Sequence, residues 1–525
     1  MPAAARKTAN RSFPPAERRT VRRSLFAPGG ADVCLVLEGT YPYVSGGVSS
    51  WVHTIIESLA ARRFSLLHIG PHPDAYGDPI YELPDNIVGL QELYCHAGLE
   101  GAPRQPPSRR RRRKLGGAGR VLSALRRIHL GAPIDDGLVE DLASGDLTLE
   151  AFLHGAEPFE LIRDELYPAI APGTPFTEFF WHVRAMHVPL LRLLSADLPD
   201  ATMFHAVSCG YAGIVAAAAS VRHGRPLTIT EHGLYARERE MELANTTWIR
   251  DFGAADGGPM ELSPLRRMWS RYFLALSRIA YQRASHLITL SAVNRDKQIA
   301  DGAPADKLEV IPNGVDPDAY ADIAEARLRR TRVPDRPMRI GFVGRVVPIK
   351  DVVTLIRAVA LALESVDLEL WIVGPEDEDP AYAARCRALV NTLGLHKAVQ
   401  FLGRRNVHEI YPDLDAMVLT SLSEGQPLVI LEGNAAALPV IATDVGACRE
   451  LLTGRDPKDA SYGPSGIVTR VASPADTAEA MVKLAKQPRL RYELGLSGVE
   501  RVRGSYRLQD VVAEYGRHYL EKVSS

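Results

Sequence analysis

The chain has 525 residues, of which 46% are hydrophobic and 24% charged, and its formal net charge at pH 7 is −1. This composition is typical of a globular protein with several domains and excludes a wholly disordered or fibrous chain. The five cysteines form no CxxC pair or Cys/His cluster, which argues against a zinc module or a disulfide framework and favours a reducing cytosol. No apolar stretch reaches the ~20 residues that span a bilayer, and the N-terminus lacks the apolar region of a secretory signal. The sequence therefore predicts a cytosolic protein.

Two segments concentrate positive charge. Residues 1–30 hold seven basic side chains and one acid. This segment is predicted to be a disordered tail, because it cannot bury enough surface to offset its ordering entropy. Residues 109–114 are six consecutive cations. Both segments fit a solvated linker, and both also fit attraction to anionic lipid head groups or an acidic partner. Nucleic acid is not favoured as a partner, because no aromatic residues interleave the basic run.

The first half of the chain alternates short apolar strands with amphipathic helices. Helical patterns lie at 48–60 and 210–223, and residues from about 100 to 200 interrupt the rhythm and are mainly helical in pattern. We therefore expect a first domain at 31–328 with a helical insertion. Its buried strands, rich in Val, Ile and Leu, are predicted at 32–37, 64–69, 201–207, 226–230, 286–290 and 308–311.

The alternation restarts after a basic segment at 327–337, which contains two prolines and is predicted to be a linker. Alternation on both sides of one linker predicts an α/β protein with two doubly wound parallel sheets, the second in a domain at 338–500. A ligand is expected in the cleft between them, at the carboxyl ends of the strands. The predicted strands of the second domain are 338–343, 368–373, 399–402, 416–420 and 439–443, and its helices are 352–363, 381–393 and 427–437.

A candidate anion site follows the first strand of each predicted domain. Gly46 and Gly47 precede a helix, where glycines let backbone N–H groups approach a phosphate. The pair also fits a tight turn, and no full GxGxxG is present. Arg345 and Lys350, five residues apart, can converge on a diphosphate, Arg as a planar fork and Lys as a point charge. The alternative is two surface cations on a loop.

The strongest pattern is the segment 424–432 (EGQPLVILE), which follows the predicted strand at 416–420. Pro427 suits a first helical turn, so Glu424 is expected in the preceding loop, pointing into the cleft. Glu432 then lies inside the helix, where it is predicted to reach a hydroxyl-bearing group; the alternative is a solvent-facing residue. Because a helix N-terminus favours phosphate, Glu424 is interpreted as binding sugar hydroxyls rather than capping the helix.

Two histidines, His205 and His232, end predicted strands of the first domain. A lone strand-end histidine is usually structural, but two at adjacent strand ends that face one cleft favour a role there. Two nominal DxD spacings, at 377–379 and 413–415, lie in an acidic loop and at a helix-to-strand junction. No metal site is predicted at either.

Several of these patterns resemble the retaining glycosyltransferases of family four, which have the GT-B fold of two facing Rossmann-like domains. They are Glu424-x7-Glu432, Arg345 with Lys350, Gly46-Gly47, and VIPNGVD at 310–316. More narrowly, LEGTYPYVSGGVSSW at 37–51, TEHGLYARERE at 230–240 and GRVVPIKD at 344–351 resemble the PelF-type glycosyltransferases of Pel exopolysaccharide systems. The resemblance covers about residues 31–520. The basic tail and the Arg-rich stretch at 104–127 lie outside it.

The resemblance implies how a UDP-sugar donor is bound. Arg345 and Lys350 would neutralise the donor diphosphate, which is the main assistance to the leaving group in a metal-independent enzyme. Glu432 would bind the ribose hydroxyls. Gly46 and Gly47 would lie near the phosphates.

The resemblance also implies how the sugar is held. Glu424 would contact the transferred sugar, with Gly425 and Gln426 offering backbone or amide donors beside it. His232 would lie on the opposite wall, near the sugar and the acceptor, and His205 is a possible further contact there.

The implied reaction transfers a hexose or N-acetylhexosamine from a UDP-sugar to a growing exopolysaccharide with retention of configuration, without a cofactor or metal. In a Pel-type system the protein is cytoplasmic and reaches the inner face of the membrane through membrane-embedded synthase or export subunits. Residues 501–525 are expected to form a C-terminal helix that crosses back to the first domain. Many family members have glycine at the position of Asp351.

Two other functions share parts of this pattern. A UDP-N-acetylglucosamine 2-epimerase has the same fold and diphosphate site, but it would return an epimerised nucleotide sugar. A non-catalytic subunit would only bind nucleotide within a polysaccharide synthase. The presence of Arg345, Lys350, Glu424 and Glu432 together argues against the silent subunit.

Overall fold

A computed structural model describes residues 30–96, 119–250, 262–329 and 335–524 of the chain. The predicted basic tail and the run at 109–114 lie outside the described residues. None of the described helices is long and apolar enough to cross a membrane.

The first domain is built on a seven-stranded sheet in the order β3-β2-β1-β4-β5-β6-β7, with every neighbouring pair parallel. The order reverses between β1 and β4, which creates a switch point at the carboxyl ends of these strands. The strands are β1 Ala31–Glu38, β2 Phe64–Gly70, β3 Ile87–Tyr94, β4 Ala201–Ala206, β5 Leu227–Glu231, β6 His286–Thr289 and β7 Leu308–Val310.

Helices cover both faces of this sheet, as strands buried on both sides require. One face packs against the helical insertion and the long helices after it, and the other against the helix that follows β1. The helices are α1 Gly47–Ser58, α2 Gly119–His129, α3 Asp136–Ala143, α4 Leu149–His154, α5 Ala156–Glu160, a π-helical turn Leu161–Leu166, α6 Tyr167–Ile170, α7 Phe176–Leu194, α8 Tyr211–His223, α9 Tyr235–Asn245, α10 Pro264–Arg283 and α11 Ala292–Asp301.

The second domain has a six-stranded parallel sheet in the order β10-β9-β8-β11-β12-β13, with its switch point between β8 and β11. The strands are β8 Met338–Val343, β9 Leu368–Val373, β10 Val399–Gly403, β11 Ala416–Leu419, β12 Val440–Thr443 and β13 Gly466–Thr469. The helices are α12 Ala321–Leu328 in the connection, α13 Val352–Ala362, α14 Pro380–Thr392, α15 Val407–Ile410, α16 Leu428–Ala435, α17 Cys448–Thr453, α18 Pro457–Ala460, α19 Pro474–Lys486 and α20 Pro488–Ser505.

A last helix, α21 Leu508–Ser524, returns to the first domain. Its residues Tyr515 and Tyr519 are fully buried in the cluster formed by β1, β2 and α1. The crossing is fixed where Val315 N–H donates to the Tyr506 carbonyl at 3.0 Å. A Cβ at Gly314 would lie 2.7 Å from Leu508 Cα, so the crossing needs glycine at this position.

The predicted fold class, two doubly wound α/β domains, is confirmed. All eleven predicted strands are present, and their ends differ from the prediction by at most one residue. Two strands were not predicted. The apolar run of β3 is broken by Gln91 and Glu92, which hides its strand pattern.

Candidate active site

The loop that carries Lys350 is tied to the carboxyl end of β11. Lys350 ends a 3-10 turn after β8, and Thr420 Oγ1 donates to the carbonyls of Lys350 and Asp351 at 3.1 Å each. Asp351 has a φ of +45°, a left-handed conformation that favours glycine. Its carboxylate caps α13 by accepting from Thr354 N–H at 3.2 Å, which offsets part of the backbone strain. This cap explains how an aspartate is accommodated at a position whose backbone conformation favours glycine.

Lys350 and Glu424 form an ion pair across the switch point. Their side chains are 17% and 11% exposed, so the contact is screened little by solvent. Ser421 Oγ also donates to Glu424 Oε1, at 2.5 Å. Lys350 therefore neutralises the negative charge of Glu424. This reduces the repulsion that Glu424 would exert on a phosphate bound at the predicted site.

Arg345 pairs with Glu378 at the rim of the same site, with a 2.5 Å contact and both side chains about half exposed. The other acids of this loop have their own partners: Asp377 pairs with Arg404, and Asp379 caps α14. In the part of the chain that the structure describes, no group of three or more His, Cys, Asp or Glu side chains is arranged to hold a metal ion.

Glu432 lies inside α16 and is held by Tyr411, whose hydroxyl donates to Glu432 Oε2 at 3.1 Å. Tyr411 is fully buried, and Tyr320 stacks nearby on His408 at 4.8 Å. Burial raises the pKa of Glu432, and the Tyr411 hydrogen bond opposes this shift. Glu432 is thus an oriented, half-buried carboxyl group and not a freely solvated helix residue.

The two domains touch at Gly425 and His232. A Cβ on Gly425 would lie 1.9 Å from the His232 carbonyl oxygen, so only glycine allows this approach. Next to it, the Gln426 amide donates to the Leu290 carbonyl at 3.0 Å and accepts from Asn313 N–H. The Gln426 backbone carbonyl also accepts from Asn313 Nδ2 at 3.3 Å. Gln426 therefore ties the domains together, which corrects the expectation that its side-chain amide is offered to the sugar.

The glycine pair lies against the same region. Gly47 begins α1, and a Cβ there would meet Leu428 Cδ1 at 3.8 Å. The first turn of α1 thus faces the start of α16 across the cleft. The helix offers free backbone N–H groups at this end, with no side-chain cap.

His232 follows β5 and faces this contact. Its ring packs edge-to-face against Trp51 with centroids 4.6 Å apart. The Nε2 atom is buried without a hydrogen-bond partner among the described residues. Burial lowers the pKa of His232 to about 4, so the imidazole is neutral at pH 7.

His205 does not share this position, which corrects the sequence-based expectation of a sugar or acceptor contact. The residue is fully buried, Nδ1 lies 2.7 Å from Tyr519 Oη and Nε2 lies 2.8 Å from Thr230 Oγ1. Both ring nitrogens are therefore used to join the sheet to α21. The pattern of alternating strands correctly predicted that His205 lies at the end of a strand. It could not predict that α21 returns over this end of the sheet and covers the His205 ring.

The sequence did not single out the residues that support the site. Ser421 donates a hydrogen bond to Glu424, and Tyr411 donates one to Glu432. The Trp51 ring packs against His232. Two carboxylates of the first domain were also not singled out. Glu38 lies at the end of β1, and the side chain of Glu238 lies against Gly233, next to His232. Glu38 lies in the LEGTYP motif, directly after an apolar run, so the sequence could have predicted its position at the end of a strand.

Comparison with known proteins agrees with this architecture. Residues 337–487, which carry Lys350, Glu424 and Glu432, match the family described as glycosyl transferases group 1. The chain is therefore of the group 1 glycosyltransferase type, with the GT-B fold. Residues 31–306, just over half the chain, match the family described as domain of unknown function (DUF3492), and the chain belongs to that family.

Two curated proteins with similar sequences are named as glycosyltransferases. The MMP alpha-(1->4)-mannosyltransferase of Mycolicibacterium hassiacum is 27% identical over 67% of this chain and 78% of its own length. The D-inositol 3-phosphate glycosyltransferase of Stackebrandtia nassauensis is 32% identical over 41% of this chain, and the match spans about half (49%) of that relative.

Solved structures share the fold. The Anabaena protein HepE in complex with UDP has a TM-score of 0.55 at 16% identity, covering 93% of this chain and 99% of HepE. The sucrose-phosphate synthase of Thermosynechococcus elongatus also has a TM-score of 0.55, at 17% identity, covering 93% and 98%.

Proposed function

We propose that this protein is a retaining, metal-independent glycosyltransferase that takes a hexose or N-acetylhexosamine from a UDP-sugar and adds it to a growing exopolysaccharide. The observation that carries the proposal is the Lys350–Glu424 ion pair, set at the switch point of the second sheet and opposite neutral His232. The positive Lys350 complements the negative charge of a departing UDP. The negative Glu424 complements the positive charge that develops on the sugar.

The donor would lie along α16. Arg345 and Lys350 would bind the diphosphate, while the N-termini of α1 and α16 add partial positive charge. Glu432, oriented by Tyr411, would accept hydrogen bonds from the ribose hydroxyls. That HepE is known in complex with UDP supports a uridine donor.

Glu424 would act on the sugar once the diphosphate draws Lys350 toward it. As the bond to the diphosphate breaks, positive charge grows at the sugar, and a fixed carboxylate stabilises that charge more in the transition state than in the ground state. Neutral His232 would accept or donate a hydrogen bond at the sugar or acceptor hydroxyl. Attack from the face that the diphosphate leaves would retain the anomeric configuration.

A Pel-type role at the inner face of the cytoplasmic membrane, through membrane-embedded synthase or export partners, is part of the same proposal. It rests on the motifs at 37–51 and 230–240. Flotation with anionic liposomes at physiological salt should leave the purified protein unbound unless a partner is present. Binding to plain liposomes would contradict recruitment by a partner.

The deciding experiment is a thermal-shift and turnover screen against a panel of UDP-sugars, GDP-sugars and ADP-sugars. A bound nucleotide sugar at about 100 times its Kd stabilises the fold by about 2.7 kcal/mol. We expect a UDP-sugar to stabilise the protein and to release UDP, with an α-linked product in the NMR spectrum. An epimerised nucleotide sugar without UDP release would show an epimerase, and binding without any turnover would show a silent subunit.

A further inference from the structure

The imidazole of His232 is half-buried, with its Nε2 atom fully covered, and it is held by carbon surface rather than by a hydrogen bond. Its Nε2 has no partner among the described residues, and its nearest aromatic neighbour is the Trp51 indole at 4.6 Å and 67°. An edge-to-face contact of this kind fixes the plane of a ring without using its polar atoms. The nitrogen is thereby left free for a ligand.

Trp51 is itself held from behind by the C-terminal helix. It lies in α1, is only 6% exposed, and packs against the Tyr515 ring at 5.1 Å. Tyr515 is fully buried, and its hydroxyl lies 3.2 Å from Thr230 Oγ1, two residues before His232. A residue 283 positions away in the chain thus contacts both the ring that supports His232 and the strand that carries it.

We propose that Trp51, supported by Tyr515, is a positioning residue that fixes the orientation of His232 and keeps water from it. This inference rests on the proposed function, in which His232 contacts the sugar or the acceptor. It assigns α21 a role in the chemistry in addition to joining the domains. Loss of either ring lets the imidazole rotate and water reach it.

The protonation of His232 reports this packing. Burial alone lowers the pKa of His232 to about 4, so the neutral form persists until the pH falls through that value. Water entering beside the ring moves the pKa back toward its usual value, so the variant loses the neutral form at a higher pH than the wild type. Among the described residues, His205 interacts electrostatically with His232, Glu231 precedes it in the chain, and Glu238 lies against the adjacent Gly233. Glu424, paired with Lys350, adjoins the contacting Gly425, and Tyr515 lies behind Trp51.

Three substitutions test the proposal. Trp51→Phe shrinks the supporting ring, and Tyr515→Leu removes its backing. Tyr519→Leu is the matched control, because Tyr519 is equally buried in the same helix but its ring contacts His205, Phe64 and, at 6.2 Å, Tyr515, and not Trp51. Since Tyr515→Leu and Tyr519→Leu each remove a buried tyrosine from α21, a general loss of stability affects both alike.

The readouts are an NMR titration of ¹³C-labelled histidines, with the His232 signal assigned by its loss in His232→Gln, and the kinetics of UDP release. In Trp51→Phe and Tyr515→Leu we expect the His232 pKa to rise by roughly 1 unit or more and kcat to fall about 10-fold, with KM for the donor within twofold. Tyr519→Leu should leave the His232 pKa unchanged. An unmoved pKa in both test variants, or an equal shift in Tyr519→Leu, overturns the proposal. A shifted pKa in a protein that transfers no sugar supports the positioning role and contradicts the proposed function.

Discussion

The two walls of the cleft hold their functional groups in opposite ways. On the second domain, Lys350 is paired with Glu424 and Arg345 with Glu378, so charges compensate each other. On the first domain, His232 is neutral and is held by a buried aromatic cluster. A diphosphate must therefore exchange ion pairs on one wall, whereas the other wall is organised before the ligand arrives.

The difference indicates a division of labour between the walls. Charged side chains that already have partners can change partners at small cost, which suits a diphosphate that binds and leaves. A ring packed in a core cannot move without disturbing its neighbours, which suits a group that must meet one hydroxyl in one orientation. Substitutions on the charged wall test this division.

The first prediction concerns Glu424→Gln, which keeps the size of the side chain but removes its charge. We expect turnover to fall by at least ~100-fold, about 2.7 kcal/mol of transition-state stabilisation. UDP affinity should be equal or tighter, because Lys350 loses its internal counter-ion and is free for the diphosphate. UDP release and UDP calorimetry on one preparation measure both, with exposed Glu409→Gln as the control. Wild-type turnover, or loss of UDP binding, would show that Glu424 does not act on the sugar.

The second prediction is that Lys350→Met weakens UDP binding more than any other single change on this wall. The substitution removes a charge-assisted contact worth up to about 3 kcal/mol and leaves Glu424 facing the phosphates, so we expect a loss of ~150-fold. Calorimetry with UDP measures it, and Lys397→Met, at an exposed lysine of the same domain, should have no effect. An unchanged Kd would remove Lys350 from the donor site.

The third prediction separates the rim from the interior. Arg345 is 48% exposed, so solvent screens its charge, and Arg345→Ala should weaken UDP binding by only about 10-fold. Glu378→Gln frees Arg345 from its partner and should leave the affinity unchanged or raise it. If Glu378→Gln instead lowers UDP affinity, the Arg345–Glu378 pair acts as one unit in binding.

The fourth prediction tests the orientation of Glu432. Tyr411→Phe removes one hydrogen bond of about 1 kcal/mol, so UDP affinity should fall roughly 5-fold while kcat is nearly preserved. Tyr320→Phe is the control, because Tyr320 stacks in the same cluster without a hydrogen bond to Glu432. An equal loss in both variants would indicate damage to the cluster instead of a lost hydrogen bond.

The smallest expected effect is that of chelation. In the proposed mechanism Arg345 and Lys350 neutralise the leaving group, so EDTA should leave the initial rate unchanged. A fall in rate that Mg²⁺ or Mn²⁺ restores would contradict this, and it would direct attention to the acids of the loop at 376–379.

The positions of the donor-side candidates followed from the sequence with little help from the structure. Runs of Val, Ile and Leu define strands buried on both faces, and in a parallel sheet the residues just after such strands gather at one edge. Lys350 and Glu424 follow β8 and β11, the two strands at the switch point. Their common edge was therefore predictable, although their ion pair was not.

The two sheets, the cleft between them and the side chains at strand ends could be predicted from the sequence, because they depend on local periodicity and on the handedness of βαβ units. The contacts that each side chain makes became evident from the folded structure alone. His205 bonds Tyr519 across 314 positions, Gln426 bonds Asn313 across 113, and Trp51 lies between His232 and Tyr515. Such contacts arise when distant segments share a buried space, and no local pattern encodes them, because each side chain is compatible with many partners until packing selects one.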